Sequence, residues 1–226
     1  MSATSPGPKG GAPVPRRRRG SYAGTDARRA AILEAALVVF ARDGYRGGSL
    51  KIVAEQAGMT DAGILHHFRN KTALLAAVLE LRDARTEKVF TPFQGKDPHR
   101  TLLGLVDLAR YNASTPGLVR LHATLSAEAT SSAHPAHEYF VKRYQHYVDA
   151  LTHAFYACAR AGTLRAGVDP VAAAHATIAA QDGLQLIWLL HGDQVDLPGG
   201  VEAHLRRLVD FPTKSSTGSE GAPAIA

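Results

Sequence analysis

Cysteine is almost missing. Cys158 is the single one in 226 residues, which excludes an intrachain disulfide and suits a reducing compartment. A secretory signal is not legible either, because the N-terminus has proline, glycine and arginine where an apolar run would be needed. No stretch reaches the roughly 20 apolar residues of a membrane helix; His175, Gln181 and Asp182 interrupt the best candidate. A cytoplasmic chain with no membrane partner is expected. Signs of chemistry are also missing: no nucleophile beside a base, no phosphate-binding glycine loop, no metal cluster. His134, His137 and Glu138 approach metal-ligand spacing, but Pro135 opens a helix there and no further ligand is evident. The adjacent His66 and His67 project about 100° apart on a helix. No enzyme activity, cofactor or metal is expected.

What is present is apolar content and uneven charge. Hydrophobic residues make up 45% of the chain, enough for a buried core in one large or two small domains. The formal charge of +6 is not evenly spread. Residues 1–90 carry 15 lysines and arginines against 8 aspartates and glutamates, while the remainder carries 11 against 12. A basic first part and a near-neutral second part suggest that only the first meets a polyanion. Charge alone allows DNA, RNA or an anionic membrane.

Residues 49–71, SLKIVAEQAGMTDAGILHHFRNK, select among these. Ser49 can cap a short helix with Leu50, Val53, Ala54 and Ala57 on one face. Gly58 supplies the left-handed backbone that ends it, and Met59 plugs the corner. Thr60 caps the next helix, in which Ile64 and Phe68 point inward and Asp61, Ala62, Gly63, His66 and His67 largely outward. Helix, glycine-containing turn and helix make a helix-turn-helix, whose second helix lies in the major groove of duplex DNA. The preceding helix is expected over 26–43, with Ile32, Leu33, Ala36, Leu37 and Phe40 as a core stripe and Gly44 at its end.

Residues 32–75 resemble the DNA-binding domain of the TetR family of bacterial transcriptional regulators. The features that carry the likeness are FARDGY after the first helix, the AG corner and LHHFRNK at the end. The resemblance implies an all-α fold: an N-terminal three-helix helix-turn-helix domain over 23–71, then a helical C-terminal dimerisation and ligand-binding domain over 72–211. It places Lys51, Asp61, Ala62 and Gly63 at base-facing positions. There, lysine can donate to guanine, aspartate accept from cytosine, alanine touch a thymine methyl and glycine permit close approach. Ser49 and Thr60 at the helix starts belong to the same face. Lys71 matches the family's phosphate-contacting lysine, and His66 and His67 suit phosphate or sugar. Leu65 stands where the family usually has a tyrosine that binds the DNA backbone, so it is either core or a van der Waals contact.

Outside that unit, residues 1–22 are expected to be a disordered basic arm and 212–226 a disordered tail. Arg16, Arg17, Arg18 and Arg19 can reach the minor groove or serve as a nonspecific polycation; either adds phosphate affinity. A connecting helix is expected over 70–88, with a break at Pro92 and 94–98. Five further helices are expected over 102–113, 117–129, 134–160, 170–190 and 201–209, with no strand. Tyr111, His122, Leu125, Tyr144 and Tyr147 mix polar groups into apolar faces, as an effector pocket does, though such a stripe is also ordinary core. The segment 170–190 is apolar nearly all round, which calls for burial on two sides. Ala176, Ala180 and Ile187 are the expected homodimer contacts, in line with the four-helix interface the resemblance implies. The expected function is a DNA-binding repressor released from its operator by a small-molecule effector; the alternative is an effector-independent architectural DNA-binding protein.

Overall fold

Aspartate followed by proline sets where several of the helices begin. In a computed structural model that describes residues 20–88 and 97–212, the chain forms nine α-helices: α1 Gly20–Gly47, α2 Leu50–Ala57, α3 Asp61–His67, α4 Lys71–Glu87, α5 Pro98–Ser114, α6 Pro116–Glu128, α7 His137–Arg160, α8 Pro170–His191 and α9 Leu197–Leu208. Asp97 accepts from the His99 N–H at 2.9 Å, Asp169 from Ala172 at 2.8 Å and Asp196 from Gly199 at 2.9 Å. A proline follows each aspartate inside the first turn, where its missing N–H costs nothing. These caps start α5 and α9 four residues ahead of the positions read from apolar periodicity alone.

Other boundaries also differ from expectation. α1 begins at Gly20, not near Asp26, so residues 20–22 of the expected arm are helical. No proline lies between 20 and 26, and the single Gly24 costs a helix only about 1 kcal/mol. Pro135 does not open α7, which starts at His137 after a turn. The arginine run at 16–19, the break at Pro92 and 94–96, and the tail 213–226 lie outside the described residues. The only β pairing among the described residues is an isolated bridge, Leu164 to Val209. No helix there is long and apolar enough to cross a membrane.

Two apolar cores result. The first joins α1–α4 to α6 and the start of α7, with Ile32, Phe40, Ile64 and Leu74 sealed together with Leu121 and Leu125. The second fills the far body with Leu102, Leu105, Leu151, Phe155, Leu197 and Leu205 from α5, α7 and α9. α1 packs more extensively on α6 than any other pair of helices packs together, so the head is seated on the body by a continuous core. α8 buries Ala173, Ala174, Thr177 and Gln185. It leaves Val171, Leu186, Ile187 and Leu190 exposed at 40%, 52%, 47% and 72%, so the second side of this apolar helix is uncovered within one chain.

Candidate functional site

The helix-turn-helix is built by its caps. The Ile52 N–H donates to Ser49 Oγ at 3.2 Å, and the Gly63 N–H donates to Thr60 Oγ1 at the same distance. Between them Gly58 adopts φ 64°, a left-handed conformation that favours glycine. Its N–H and that of Met59 return to carbonyls of Glu55 and Ala54. Val53, Ala54, Ile64 and Phe68 are buried, anchoring both helices on α1. Burial at that level makes truncation of Ile64 to alanine cost about 2–5 kcal/mol.

That anchoring fixes what remains outside. Lys51, Thr60, Asp61, Ala62 and His66 are exposed; Ser49, Gly63 and His67 are half-buried. The two histidine rings meet edge to face at 5.3 Å, and no group of metal-ligating side chains occurs among the described residues. Leu65 is 49% exposed, which removes the core alternative for it. Its side chain lies on the same outer surface as Asp61 and Ala62. A Cβ at Gly63 would sit 3.3 Å from Met59 Cε, so glycine there also lets the corner methionine pack.

The start of α4 is tied to the turn after α1. Asn70 caps α4 through the Ala73 N–H at 2.8 Å. The Lys71 ammonium stands 4.4 Å over the Tyr45 ring, whose hydroxyl shares a 3.0 Å hydrogen bond with Thr72 Oγ1. Partial burial pulls the Lys71 ammonium below its ordinary range, opposed by Glu128. Glu128, at the end of α6, accepts from the Tyr45 N–H at 2.7 Å and from the Arg46 N–H at 3.4 Å. His134 Nε2 lies 3.4 Å from the same carboxylate without hydrogen-bond geometry. Its ring packs on Tyr45 at 5.1 Å. Sequence patterning did not single out Glu128, because an acid at a helix end looks like a solvated one.

A cavity lies inside the body. α4 contributes Arg82 and Thr86, and α6 contributes His122. α7 contributes Arg143, Tyr144 and Tyr147; α8 adds Gln181, Asp182 and Gln185; Asn112 and two leucines of α5, Leu151 of α7 and Ile178 of α8 complete the wall. Its free volume is about 50 Å³, room for a few waters. Drug-sized ligands occupy pockets of roughly 300–1,000 Å³. Of the expected pocket residues, His122, Tyr144 and Tyr147 line it. Leu125 is sealed in the first core, and Tyr111 lines a separate surface depression with Leu37 and Arg85.

The cavity is a web of polar contacts. The Tyr144 hydroxyl donates to Asp182 Oδ2 at 2.6 Å, and His122 Nε2 lies 3.4 Å from Asp182 Oδ1. Burial and the cationic Arg82 push the His122 imidazole down, more than Asp182 holds it up. Burial works to raise Asp182, but its bonds from His122 and Tyr144 outweigh that and hold it low. The Tyr139 hydroxyl donates to Asp83 Oδ1 at 2.8 Å, and burial pushes that phenol up to about 12. Arg143 pairs with the same Asp83 oxygen and donates to the Tyr147 hydroxyl at 3.0 Å. Arg82, Asp83, Arg143 and Asp182 carry no local sequence signal of this role; they meet only because five helices converge.

Comparison with known proteins bears on the fold and on the helix-turn-helix segment. The family described as bacterial regulatory proteins, tetR family, matches residues 32–78. YvkB of Bacillus subtilis (strain 168), an uncharacterised HTH-type transcriptional regulator, is 32% identical over 72 residues, which is 32% of this chain and 38% of that one. The HTH-type transcriptional regulator SrpR of Pseudomonas putida is 39% identical over 64 residues, 28% of this chain and 30% of the relative. The chain thus matches about a third of the length of these two. Among solved structures, one described as the molecular basis for control of antibiotic production by bacterial hormones is 31% identical with TM-score 0.59. It covers 81% of this chain and 98% of that one. SmeT, the repressor of the Stenotrophomonas maltophilia multidrug efflux pump SmeDEF, has the same fold at 22% identity and TM-score 0.64, over 82% and 92% of the two chains.

Proposed function

The chain belongs to the TetR family of bacterial transcriptional regulators and carries its DNA-binding domain; on that premise we propose that it is a homodimeric repressor that leaves its operator when a small effector enters the body. It is a regulator and not an enzyme. The observation that carries the proposal is the division of the helix-turn-helix: Ile64 and Phe68 are buried while Lys51, Asp61, Ala62 and His66 face outward. In this reading Lys51, Asp61 and Ala62 read base edges. Gly63 permits approach, and Lys71, His66 and His67 take the backbone. Leu65 contributes apolar contact only.

The uncovered Ile187 and Leu190 side of α8, with Ala176 and Ala180 beside it, supports the homodimer. An apolar helix side of this kind is typical of a self-complementary interface. Two such heads on a two-fold axis match half-sites about one helical turn apart, roughly 34–36 Å.

Two helices support the switch. α4 begins at Lys71 on the DNA side and brings Arg82 to the cavity, about 16 Å further along the axis. α6 brings His122 to the cavity and Glu128 to the head. An effector changes DNA affinity only through unequal affinity for two arrangements of these helices, so operator DNA must weaken effector binding by the same factor. A tenfold change needs about 1.4 kcal/mol.

Selection from random duplexes with the full chain tests the proposal. Enriched sequences should contain two inverted half-sites with that spacing. Recovery of sequences with no common base pattern would favour the architectural alternative.

A further inference from the structure

The cavity holds a guanidinium whose hydrogen bonds are largely unspent. Arg82 is 7% exposed. Among the described residues its side chain makes one long bond, from Nη1 to Asp83 Oδ1 at 3.5 Å, and its Nε is buried with no partner. Asp83 is held more closely from the other side, by the Tyr139 hydroxyl at 2.8 Å and by Arg143. A guanidinium offers five N–H donors in a planar fork matched to two carboxylate oxygens. Buried with one long bond, it has recovered little of the cost of leaving water. Burial, and then the like charge of Arg143, push Arg82 below the usual arginine range.

The other charges around the cavity are better supplied. Asp182 has Tyr144 at 2.6 Å and His122 at 3.4 Å. Arg82, Arg143 and Asp182 line the space, and Asp83 lines the adjoining groove; both carboxylates have a close donor, and Arg82 has no close acceptor. His122 adds a second orphan. With Nε2 turned to Asp182, its buried Nδ1 has no partner. An open groove between α4 and α7 shares Thr86, Arg143 and Tyr147 with the cavity and is lined further by Lys142 and His146 and by the carboxylates of Asp83 and Glu87. Arg143, stacked 4.9 Å over the Tyr147 ring, forms the shared wall.

Resting on the reading of this cavity as the effector site, we propose that the effector is a small carboxylate, taken through the α4–α7 groove and gripped by the guanidinium of Arg82. The small free volume limits the acid to a short chain unless the wall at Arg143 and Tyr147 moves. Because Arg82 belongs to α4, the grip acts on the helix that begins at Lys71.

Propionate, propionamide and propylammonium share a shape and differ in charge, which makes them the probes. Each is titrated into the full chain at constant ionic strength, following melting temperature and operator affinity. Propionate should stabilise saturably, with the other two weaker by about tenfold or more. Arg82→Met, which removes an under-paired buried charge while keeping bulk, should lose the propionate response. Arg82→Lys, which keeps the charge without the fork, should retain only part of it. Equal stabilisation by propionamide, a full response in Arg82→Met, or no response to any probe would overturn the carboxylate assignment; the wild-type comparison decides even where a variant fails to fold. If propionamide or propylammonium binds and shifts operator affinity, the effector reading stands and the carboxylate class falls. If propionate binds through Arg82 but leaves operator affinity unchanged, the anion site stands and the effector reading falls.

Discussion

Gly44→Ala strikes the joint between the DNA-binding head and the body. Gly44 ends the regular part of α1 at φ 69°, ψ −177°, a region open essentially to glycine alone. Forcing alanine into it costs about 1–3 kcal/mol. The added Cβ would also stand 2.3 Å from Glu128 Oε1, so the carboxylate must swing away from the Tyr45 and Arg46 N–H groups. Hydrogen bonds to a charged acceptor contribute about 1.5–3 kcal/mol. Partial exposure of this one, with 21% of the Glu128 side chain accessible, lowers the loss to about 1–2 kcal/mol. The single variant should therefore lose about 2–5 kcal/mol, a fall in melting temperature of roughly 4–20 °C for a chain of this size. Glu128→Ala alone should lose only the second part. In the double variant the carboxylate is already gone, so the losses should fall short of additivity by about 1–2 kcal/mol. Calorimetry on the four chains measures this cycle. Additive losses, or a Glu128→Ala melting temperature within about 1 °C of the wild type, would refute the account of Glu128 as the clasp on the turn after α1.

Three other outcomes are expected. Lys71→Ala should weaken binding to all duplexes alike and flatten the salt dependence by about one unit per site, whereas Lys51→Ala should lose roughly 1–3 kcal/mol at one base pair, both read by fluorescence anisotropy. Ile187→Asp should weaken dimerisation by roughly 100-fold or more in sedimentation equilibrium, because a charge would be buried against apolar groups; an unchanged constant would place the interface elsewhere. Stability should fall in acid. Burial above all holds His122 and His134 below the ordinary imidazole value, so the unfolded chain binds more protons than the folded one below about pH 6.5. That stability is complete above pH 6.5 and is lost as pH falls toward the folded values. Urea midpoints should decline from pH 7.5 to 5.5, less steeply in His122→Asn, and an equal slope in that variant would remove His122 from the cause.

The sequence by itself determined the elements and the outward face of the recognition unit. Caps and apolar spacing act within one or two turns, so Ser49, Gly58, Thr60, Ile64 and Phe68 could be read without any tertiary knowledge. Apolar spacing alone puts the starts of α5 and α9 four residues late, because the capping Asp97 and Asp196 act ahead of the periodic stretch. Tertiary structure alone decided the cavity and the clasp. Arg82 reads as one more polar residue on a connecting helix until α5, α6, α7 and α8 close around it. Glu128 reads as a solvated helix end until the turn at Tyr45 folds onto it. Tyr111 and Leu125 follow the same spacing rules as Tyr144 and Tyr147, yet only the latter two face the cavity. Periodicity fixes which residues share a face of a helix, but what that face meets depends on contacts between residues far apart in the chain.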